Sequence, residues 1–361
     1  METNGLSAEL AKTAGYATPT EIQAKTLAPI LAGGDVVARA PTGTGKTAAF
    51  AIPVLERILR KEISRAIVIE PSRELTIQAA NETRKIAGSA AVRVVAAYGG
   101  TPPERQAELI KQGAQLVIGT PGRLRELLQS GVLKPGGVNC LVLDEADRLL
   151  GEQFSDDVCH IASRLPPQRQ TLLFAVHMPQ MLLAQWQEKL LRKEFAQINA
   201  KQGGDITHYY AVTGNKTKTL AEQLRIHPCK SLVFSTTTEG ADQLAKELRF
   251  HGVYPLLLHS NRDSDERNSA VKRFKQTDGS VLVATDIAAR GMHFPNVARV
   301  YSLEPTATPE GYLHRAGRTG RMEEKGECIT LCTAGEVKKL VQTAKAVGIA
   351  VIELPPASHD R

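Results

Sequence analysis

Asp35-Val-Val-Ala-Arg-Ala-Pro-Thr-Gly-Thr-Gly-Lys-Thr-Ala-Ala-Phe-Ala-Ile52 decides the fold. A short apolar strand, Asp35 to Arg39, runs into a glycine-rich turn, and a helical run begins after Lys46-Thr47. Strand, turn, Lys-Thr and helix form a phosphate-binding arrangement. Gly43 and Gly45 let the backbone curl and approach an anion without Cβ clashes. The turned N–H groups and the positive end of the next helix then face one phosphate group. Lys46 reaches toward the β and γ phosphates, and the Thr47 hydroxyl can hold Mg²⁺. Ala40 stands where the pattern has its first glycine.

The 361 residues suffice for two domains of ordinary size. An apolar share of 42% with 23% charged residues excludes a disordered or collagenous chain. Lys plus Arg outnumber Asp plus Glu by 45 to 38, an excess that permits a polyanionic partner without requiring one. The five cysteines, Cys140, Cys159, Cys229, Cys328 and Cys332, lack metal-ligand spacing and read as buried free thiols. No apolar run reaches membrane-spanning length, and Met1 to Gly5 is not a signal or transit peptide. The expected location is the cytoplasm, or a plastid or mitochondrion where a transit peptide has been removed.

Leu6 to Ala14 reads as a short amphipathic helix. Thr18-Pro19 interrupts it, Thr20 can cap the next helix, and Gln23 falls in that helix's first turn. A Gln amide carries a donor and an acceptor, which suits an adenine edge. Apolar strands then alternate with helical stretches: Ala66–Ile69, Val92–Ala97, Leu116–Ile118, Leu141–Leu143 and Thr171–Phe174. Strands apolar on both faces predict a mainly parallel sheet covered by helices on each side. Ligands of such sheets bind at the carboxyl ends of the strands. Residues 199–206 loosen into Asn-Ala-Lys-Gln-Gly-Gly-Asp and read as a linker. A second alternating series follows, with strands at Ser231–Phe234, Pro255–Leu258, Val281–Val283, Ala298–Tyr301 and Cys328–Leu331. The expected organisation is an α/β chain of two tandem domains, 1–198 and 207–354, with a tail at 355–361.

Asp144 and Glu145 close a buried strand. A carboxylate there can hold Mg²⁺ opposite Thr47. Glu145 is placed to orient and deprotonate a water for attack on a γ phosphate. His314-Arg-Ala-Gly-Arg-Thr-Gly-Arg321 gathers cationic groups on a glycine-broken segment, suited to neutralising charge on a phosphoryl transition state.

With these residues in place, nearly the whole chain resembles the DEAD-box ATP-dependent RNA helicases. Asp144-Glu-Ala-Asp147 matches the name-giving motif letter for letter. Thr20–Gln23 is similar to the adenine-reading Q motif. Pro71–Leu75, Gly99-Gly100 and Thr120-Pro-Gly-Arg123 are similar to the first domain's RNA motifs. Leu232–Thr236, His259–Arg267, Ala284–Gly291 and His314–Arg321 are similar to the second domain's motifs. The resemblance implies two RecA-like domains that close over ATP and single-stranded RNA. It implies catalytic roles for Lys46, Asp144, Glu145 and His314, with Arg318 and Arg321 as arginine fingers. Nucleotide contacts are implied at Tyr16, Thr18, Gln23, Thr42, Gly43, Thr44, Gly45, Lys46, Thr47, Asp286 and Gly291, and Mg²⁺ contacts at Thr47 and Asp144. RNA contacts are implied at Pro71, Arg73, Gly99, Gly100, Thr120, Pro121, Gly122, Arg123, Ser235, Thr236, Arg267 and Thr285. Backbone contacts of this kind read no base, so binding is expected to tolerate sequence and weaken with salt. Reading of 2′-hydroxyls would select RNA over DNA.

Three positions depart from the family. Ala175-Val176-His177 replaces Ser-Ala-Thr, whose hydroxyls bridge toward the last DEAD aspartate, Asp147 here, and couple hydrolysis to strand separation. His293 replaces an aspartate directed at the ribose, and Leu6 stands where an aromatic packs on adenine. Intact hydrolysis with weak duplex unwinding is therefore the expectation. The rival readings are an ATP-gated RNA clamp or scaffold and a DNA helicase of the same architecture. A small-molecule kinase would not need the second domain. No membrane association is expected; a monomer with a protein activator or targeting partner is. Trp186, in a helical stretch, is expected to pack in a core.

Overall fold

A computed structural model describes residues 10, 19–41, 43–200, 205–289, 292, 294–320 and 325–355. The expectations for Leu6, Tyr16, Thr18, Thr42, Gly291, His293 and Arg321 lie outside the described residues, as does most of the segment 6–14. The chain divides into two compact units, Met1–Lys201 and Gln202–Arg361.

The first unit is a seven-stranded sheet in the order β3-β4-β2-β5-β6-β1-β7, with every pair parallel. Its strands are β1 (Asp35–Arg39), β2 (Ala66–Ile69), β3 (Val94–Ala97), β4 (Leu116–Gly119), β5 (Cys140–Leu143), β6 (Gln170–Ala175) and β7 (Phe195–Asn199). Alternating side chains split between two cores. Val36, Ala38, Val68, Ile118, Val142 and Phe174 pack on one face against helices Glu21–Leu31, Lys46–Leu59 and Arg73–Ala87. Val37, Ile69, Val117, Leu141 and Leu173 pack on the other, against helices Pro121–Gln129, Ser155–Arg164 and Gln180–Leu190. Two-sided burial is why β2, β4 and β5 carry no outward polar residue. Trp186 is 3% exposed and belongs to the second of these cores, as expected.

The second unit repeats the plan with the order β10-β11-β9-β12-β13-β8-β14, again all parallel. It comprises β8 (Asp205–Val212), β9 (Ser231–Ser235), β10 (Leu256–Leu258), β11 (Val281–Thr285), β12 (Arg299–Ser302), β13 (Lys325–Cys332) and β14 (Ile352–Glu353). Three strands were not anticipated: β7, β8 and β14. The 199–206 linker is also corrected, because Asn199 ends β7 and Asp205 already opens β8. All five cysteines are free thiols; Cys140, Cys328 and Cys332 are buried, Cys229 is half-buried, and Cys159 departs from the expected burial in being exposed.

Parallel strands need crossovers, so every strand of the first unit ends on the same edge of the sheet. That edge carries the glycine turn after β1, Pro71-Ser-Arg after β2, Gly99-Gly100 after β3, Thr120-Pro-Gly-Arg after β4, Asp144–Asp147 after β5 and Val176-His177 after β6.

Candidate functional site

The glycine turn is closed on itself. Lys46 Nζ donates to the carbonyls of Ala40 and Pro41, each at 3.0 Å, and Thr44 Oγ1 donates to Pro41 O at 2.8 Å. Gly43 (φ +78°) and Gly45 (φ +84°) are left-handed, and a Cβ on Gly45 would lie 2.4 Å from Gln23 Nε2. Only glycine meets both demands. Thr47 follows in the first turn of the helix, half-buried.

Gln23, expected at an adenine edge, bonds to the backbone of its own helix start and of the glycine turn. Its Oε1 accepts from Thr20 N–H at 3.0 Å, and its Nε2 donates to Gly45 O at 3.3 Å. Thr20 Oγ1 donates to Thr44 O at 2.7 Å. The helix start at 20–23 therefore braces the glycine turn, because buried amide atoms take whichever backbone partners lie nearest.

Asp144 and Glu145 sit where β5 ends. Asp144 Oδ1 accepts the Glu145 N–H at 2.9 Å, and Glu145 is held left-handed at φ +50°. A non-glycine residue there costs on the order of 1–2 kcal/mol. Burial lifts the Asp144 carboxyl to about 6, with the Lys46 charge opposing and Glu145 adding. Glu70, one residue past β2, was not singled out from the sequence. It is fully buried, and neither carboxylate oxygen has a hydrogen-bond partner among the described residues. Burial raises it well above the carboxylate range, and the negative Asp144 and Glu145 raise it further. A Glu directly after an all-apolar strand is the signal that could have exposed it.

Among the described residues, no three His, Cys, Asp or Glu side chains converge as a metal cage. A hydroxyl at Thr47 and a carboxylate at Asp144 fit instead a hard cation that keeps its waters and its phosphate oxygens, as Mg²⁺ does. Ala175, 1% exposed, ends β6, and its carbonyl accepts from Ala40 N–H at 3.0 Å. The segment 175–177 is thereby tied to the glycine turn. His177 is half-buried and Asp147 lies in the short helix Ala146–Leu149.

Along the same edge, Pro71 is buried and Ser72 caps helix Arg73–Ala87. The Arg73 guanidinium lies 5.0 Å over the Tyr98 ring, and Gly100 (φ +79°) comes close to it. Gly99 faces open space. Thr120 precedes Pro121, which opens helix Pro121–Gln129 with Gly122 exposed. Arg123, expected to contact phosphate, has its guanidinium held by partners within the unit. Nη1 donates to Gln106 Oε1 and Nη2 to Thr101 O, each at 3.0 Å, while Nε meets Glu126 at 2.9 Å. Gln106, unanticipated, is the hub. It accepts from Tyr98 N–H at 3.2 Å and donates to Tyr98 O at 3.1 Å and to Thr101 Oγ1 at 2.7 Å. Its presence in a helix 17 residues from Arg123 left no local pattern to read.

In the second unit, Asp286 opens the helix Asp286–Ala289 and accepts Arg315 two-sidedly, Nε at 2.7 Å and Nη2 at 2.5 Å. Asp286, expected at the nucleotide, is thus an ion-pair partner here. Arg315 also donates to Glu304 O and lies over the Phe234 ring. Arg318, expected as an arginine finger, is 4% exposed, with Nη1 donating to Met292 O at 2.8 Å and Nε to His314 O at 3.2 Å. The turn at Gly317–Gly320 folds its guanidinium back onto its own unit. His314 is buried. Ser235 ends β9 with Oγ on Thr237 O, Thr236 donates to Glu304 at 2.7 Å, and Thr285 is buried at the end of β11. Arg267 is half-buried on helix Ser264–Gln276, after the cluster in which Asp242 takes His259 at 3.3 Å and Arg262 at 3.1 Å.

Comparison with known proteins agrees with this layout. Residues 20–182 match the family described as DEAD/DEAH box helicase, and residues 215–323 match the helicase conserved C-terminal domain. The chain is 37% identical to the DEAD-box ATP-dependent RNA helicase CshA of Geobacillus kaustophilus, over 99% of this chain and 78% of that protein. It is 36% identical to RhpA of Helicobacter pylori, over 96% of this chain and 72% of that one. Among solved structures, S. cerevisiae Dbp5 bound to RNA and ADP BeF3 superposes with a TM-score of 0.84 at 26% identity, covering 97% and 94% of the two chains. Mss116p bound to ssRNA and AMP-PNP gives 0.82 at 27% identity, covering 98% and 78%.

Proposed function

Because this chain belongs to the DEAD-box ATP-dependent RNA helicases, we infer that it hydrolyses ATP and uses the cycle to bind and remodel RNA. The observation that carries the reading is the closed glycine turn. A lysine ammonium rests on two carbonyls, beside a strand-end Asp-Glu pair and joined through the Ala40–Ala175 bond to the end of β6. The first of two tandem RecA-like sheets holds these parts, and structures similar to this one are bound to RNA with ADP BeF3 and to ssRNA with AMP-PNP.

The mechanism proceeds from these residues. An arriving triphosphate offers Lys46 charged oxygens in place of the Ala40 and Pro41 carbonyls, and charge-assisted hydrogen bonds are the stronger. The N–H groups of the turn and of the following helix take the β phosphate. Thr47 and Asp144 are the groups that would hold Mg²⁺, which when bound offsets phosphate charge and lowers the cost of ionising Asp144. Glu145 orients the attacking water and accepts its proton. Its left-handed backbone sets where that carboxylate can reach. Arg318 and Arg321 serve to neutralise charge growing on the γ-phosphate oxygens, for which Arg318 exchanges the Met292 carbonyl for a phosphate oxygen.

RNA is held by its backbone. The first unit offers the Arg73–Tyr98 stack, the Gly99-Gly100 loop held by Gln106 and Arg123, and the N-terminus of helix Pro121–Gln129. The second offers Ser235, Thr236, Thr285 and Arg267. A protein activator fits the same reading, since a Dbp5 structure similar to this chain is bound to Gle1. The deciding experiment is ATP turnover with and without RNA for the wild type, Lys46→Ala and Glu145→Gln. RNA stimulation in the wild type and loss of turnover in both variants is expected. Turnover indifferent to RNA at every salt concentration would remove the reading.

A further inference from the structure

We propose that the β10 edge of the second unit is an accessory site for a single-stranded RNA flank. This rests on the RNA reading above. β10 is the terminal strand of its sheet. Between it, the last turn of helix Thr238–Phe250 and helix Ser264–Gln276 lies an open pocket of about 260 Å³. That is below the ~300–1,000 Å³ of small-molecule clefts, so the pocket belongs to an extended surface.

The walls are cationic. Arg249, Arg262 and Arg273 line the pocket against one carboxylate, Glu266. Arg262 is already paired with Asp242 and Glu266. Arg249 and Arg273 are exposed and have no ion-pair partner among the described residues. Two large rings follow Arg249 in the chain: Phe250 is 89% exposed and Tyr254, directly before the pocket residue Pro255, 78% exposed. Folding gives no reason to leave two aromatics in water, four residues apart, in the segment that follows Arg249.

Guanidinium groups interleaved with exposed aromatic faces are the chemistry that holds single-stranded nucleic acid: charge follows the phosphates and rings stack the bases. The Arg262 wall is continuous with the His259–Arg267 segment, which is read above as part of the RNA path. Arg262 and Glu266 of that segment line the pocket, so RNA held along the segment lies beside it. An acidic peptide pairing with the strand edge is the competing occupant. β10 offers it only three residues of ladder, whereas the charge and both rings suit RNA.

The test compares a short RNA that fills the core path with one several times longer, by fluorescence anisotropy across a salt series. The variants are Arg249→Ala/Arg273→Ala and Phe250→Ala/Tyr254→Ala, all at exposed positions. The wild type is expected to bind the longer RNA roughly tenfold tighter. The arginine variant loses most of that advantage, and its salt slope falls by about two. The aromatic variant loses at least about fivefold, and less in salt slope. Short-RNA affinity and ATP turnover stay unchanged in both. A length advantage and salt slope unaltered by either pair overturns the proposal, and so does loss of a co-purifying protein with RNA binding intact. Failure of the wild type to bind even the short RNA would instead refute the RNA reading beneath it.

Discussion

Replacing Gln106 by alanine should separate RNA sensing from ATP hydrolysis. The Gln106 amide makes four hydrogen bonds: two with the Tyr98 backbone, one with the Thr101 hydroxyl and one with the Arg123 guanidinium. Each neutral bond contributes a net ~0.5–1.5 kcal/mol, and the one to a charged group more. Truncation also leaves the 8%-exposed Arg123 side chain without one of its acceptors. The folded unit should lose about 2–4 kcal/mol on this reckoning, part of it recovered where water enters the loop. The three bonds to Tyr98 and Thr101 fix the Gly99-Gly100 loop before RNA arrives. Without them RNA must order that loop itself, at ~1–3 kcal/mol, which is about a 5- to 150-fold weaker apparent affinity. The assay is ATP turnover titrated with RNA, alongside thermal unfolding. The half-saturating RNA concentration should rise while RNA-free turnover and the ATP half-saturation stay near wild type. Gln106→Glu should keep the acceptor to Arg123 and Tyr98 N–H, and fall between. An unchanged RNA half-saturation in a folded Gln106→Ala protein would refute the assignment of the hub.

Glu70 gives a pH signature. Its folded carboxyl is raised above the unfolded value by burial and by Asp144 and Glu145. The folded chain therefore binds more protons than the unfolded one, and stability falls as pH climbs past the unfolded Glu range, by up to about 1.4 kcal/mol per pH unit. Glu70→Gln should be more stable than wild type at neutral pH and show a flatter melting-temperature profile; parallel profiles would contradict this. Gly45→Ala places a Cβ 2.4 Å from Gln23 Nε2 at a φ of +84°. It should raise the ATP half-saturation at least tenfold, the strain alone amounting to ~1–2 kcal/mol, as read by nucleotide titration. Restoring hydroxyls with Ala175→Ser/His177→Thr should raise duplex unwinding per ATP hydrolysed without changing turnover; equal unwinding would exclude this segment from the coupling.

The parallel sheets were legible because β2, β4 and β5 are buried on both faces, which forces unbroken apolar runs. β7 (Phe-Ala-Gln-Ile-Asn) and β8 (Asp-Ile-Thr-His-Tyr-Tyr-Ala-Val) are half-exposed and mix polar residues with apolar ones, so they look like loops. β14 is two exposed residues, fixed only by pairing with β8. The glycine turn and the Asp144-Glu145 pair were visible because backbone demands and chain order specify them. What the donors of Gln23, Arg123 and Arg318 face was not visible. A planar amide or guanidinium takes the partners that tertiary folding supplies, and for each of the three at least one lies 17 to 26 residues away. Glu70 was a letter in plain sight, but its meaning comes from β2 lying beside β5, which places Ile69 opposite Leu143.

The bond from Ala40 N–H to Ala175 O joins two peptide groups, and that gives it a property no hydroxyl bridge has. Mutation of either side chain leaves it intact; only a proline at position 40 would remove the donor. A lineage can trade serine for alanine at position 175 and still keep the nucleotide cradle mechanically attached to the strand end that follows it. The tolerance of this segment to drift, and the survival of hydrolysis through it, would then be written in the main chain.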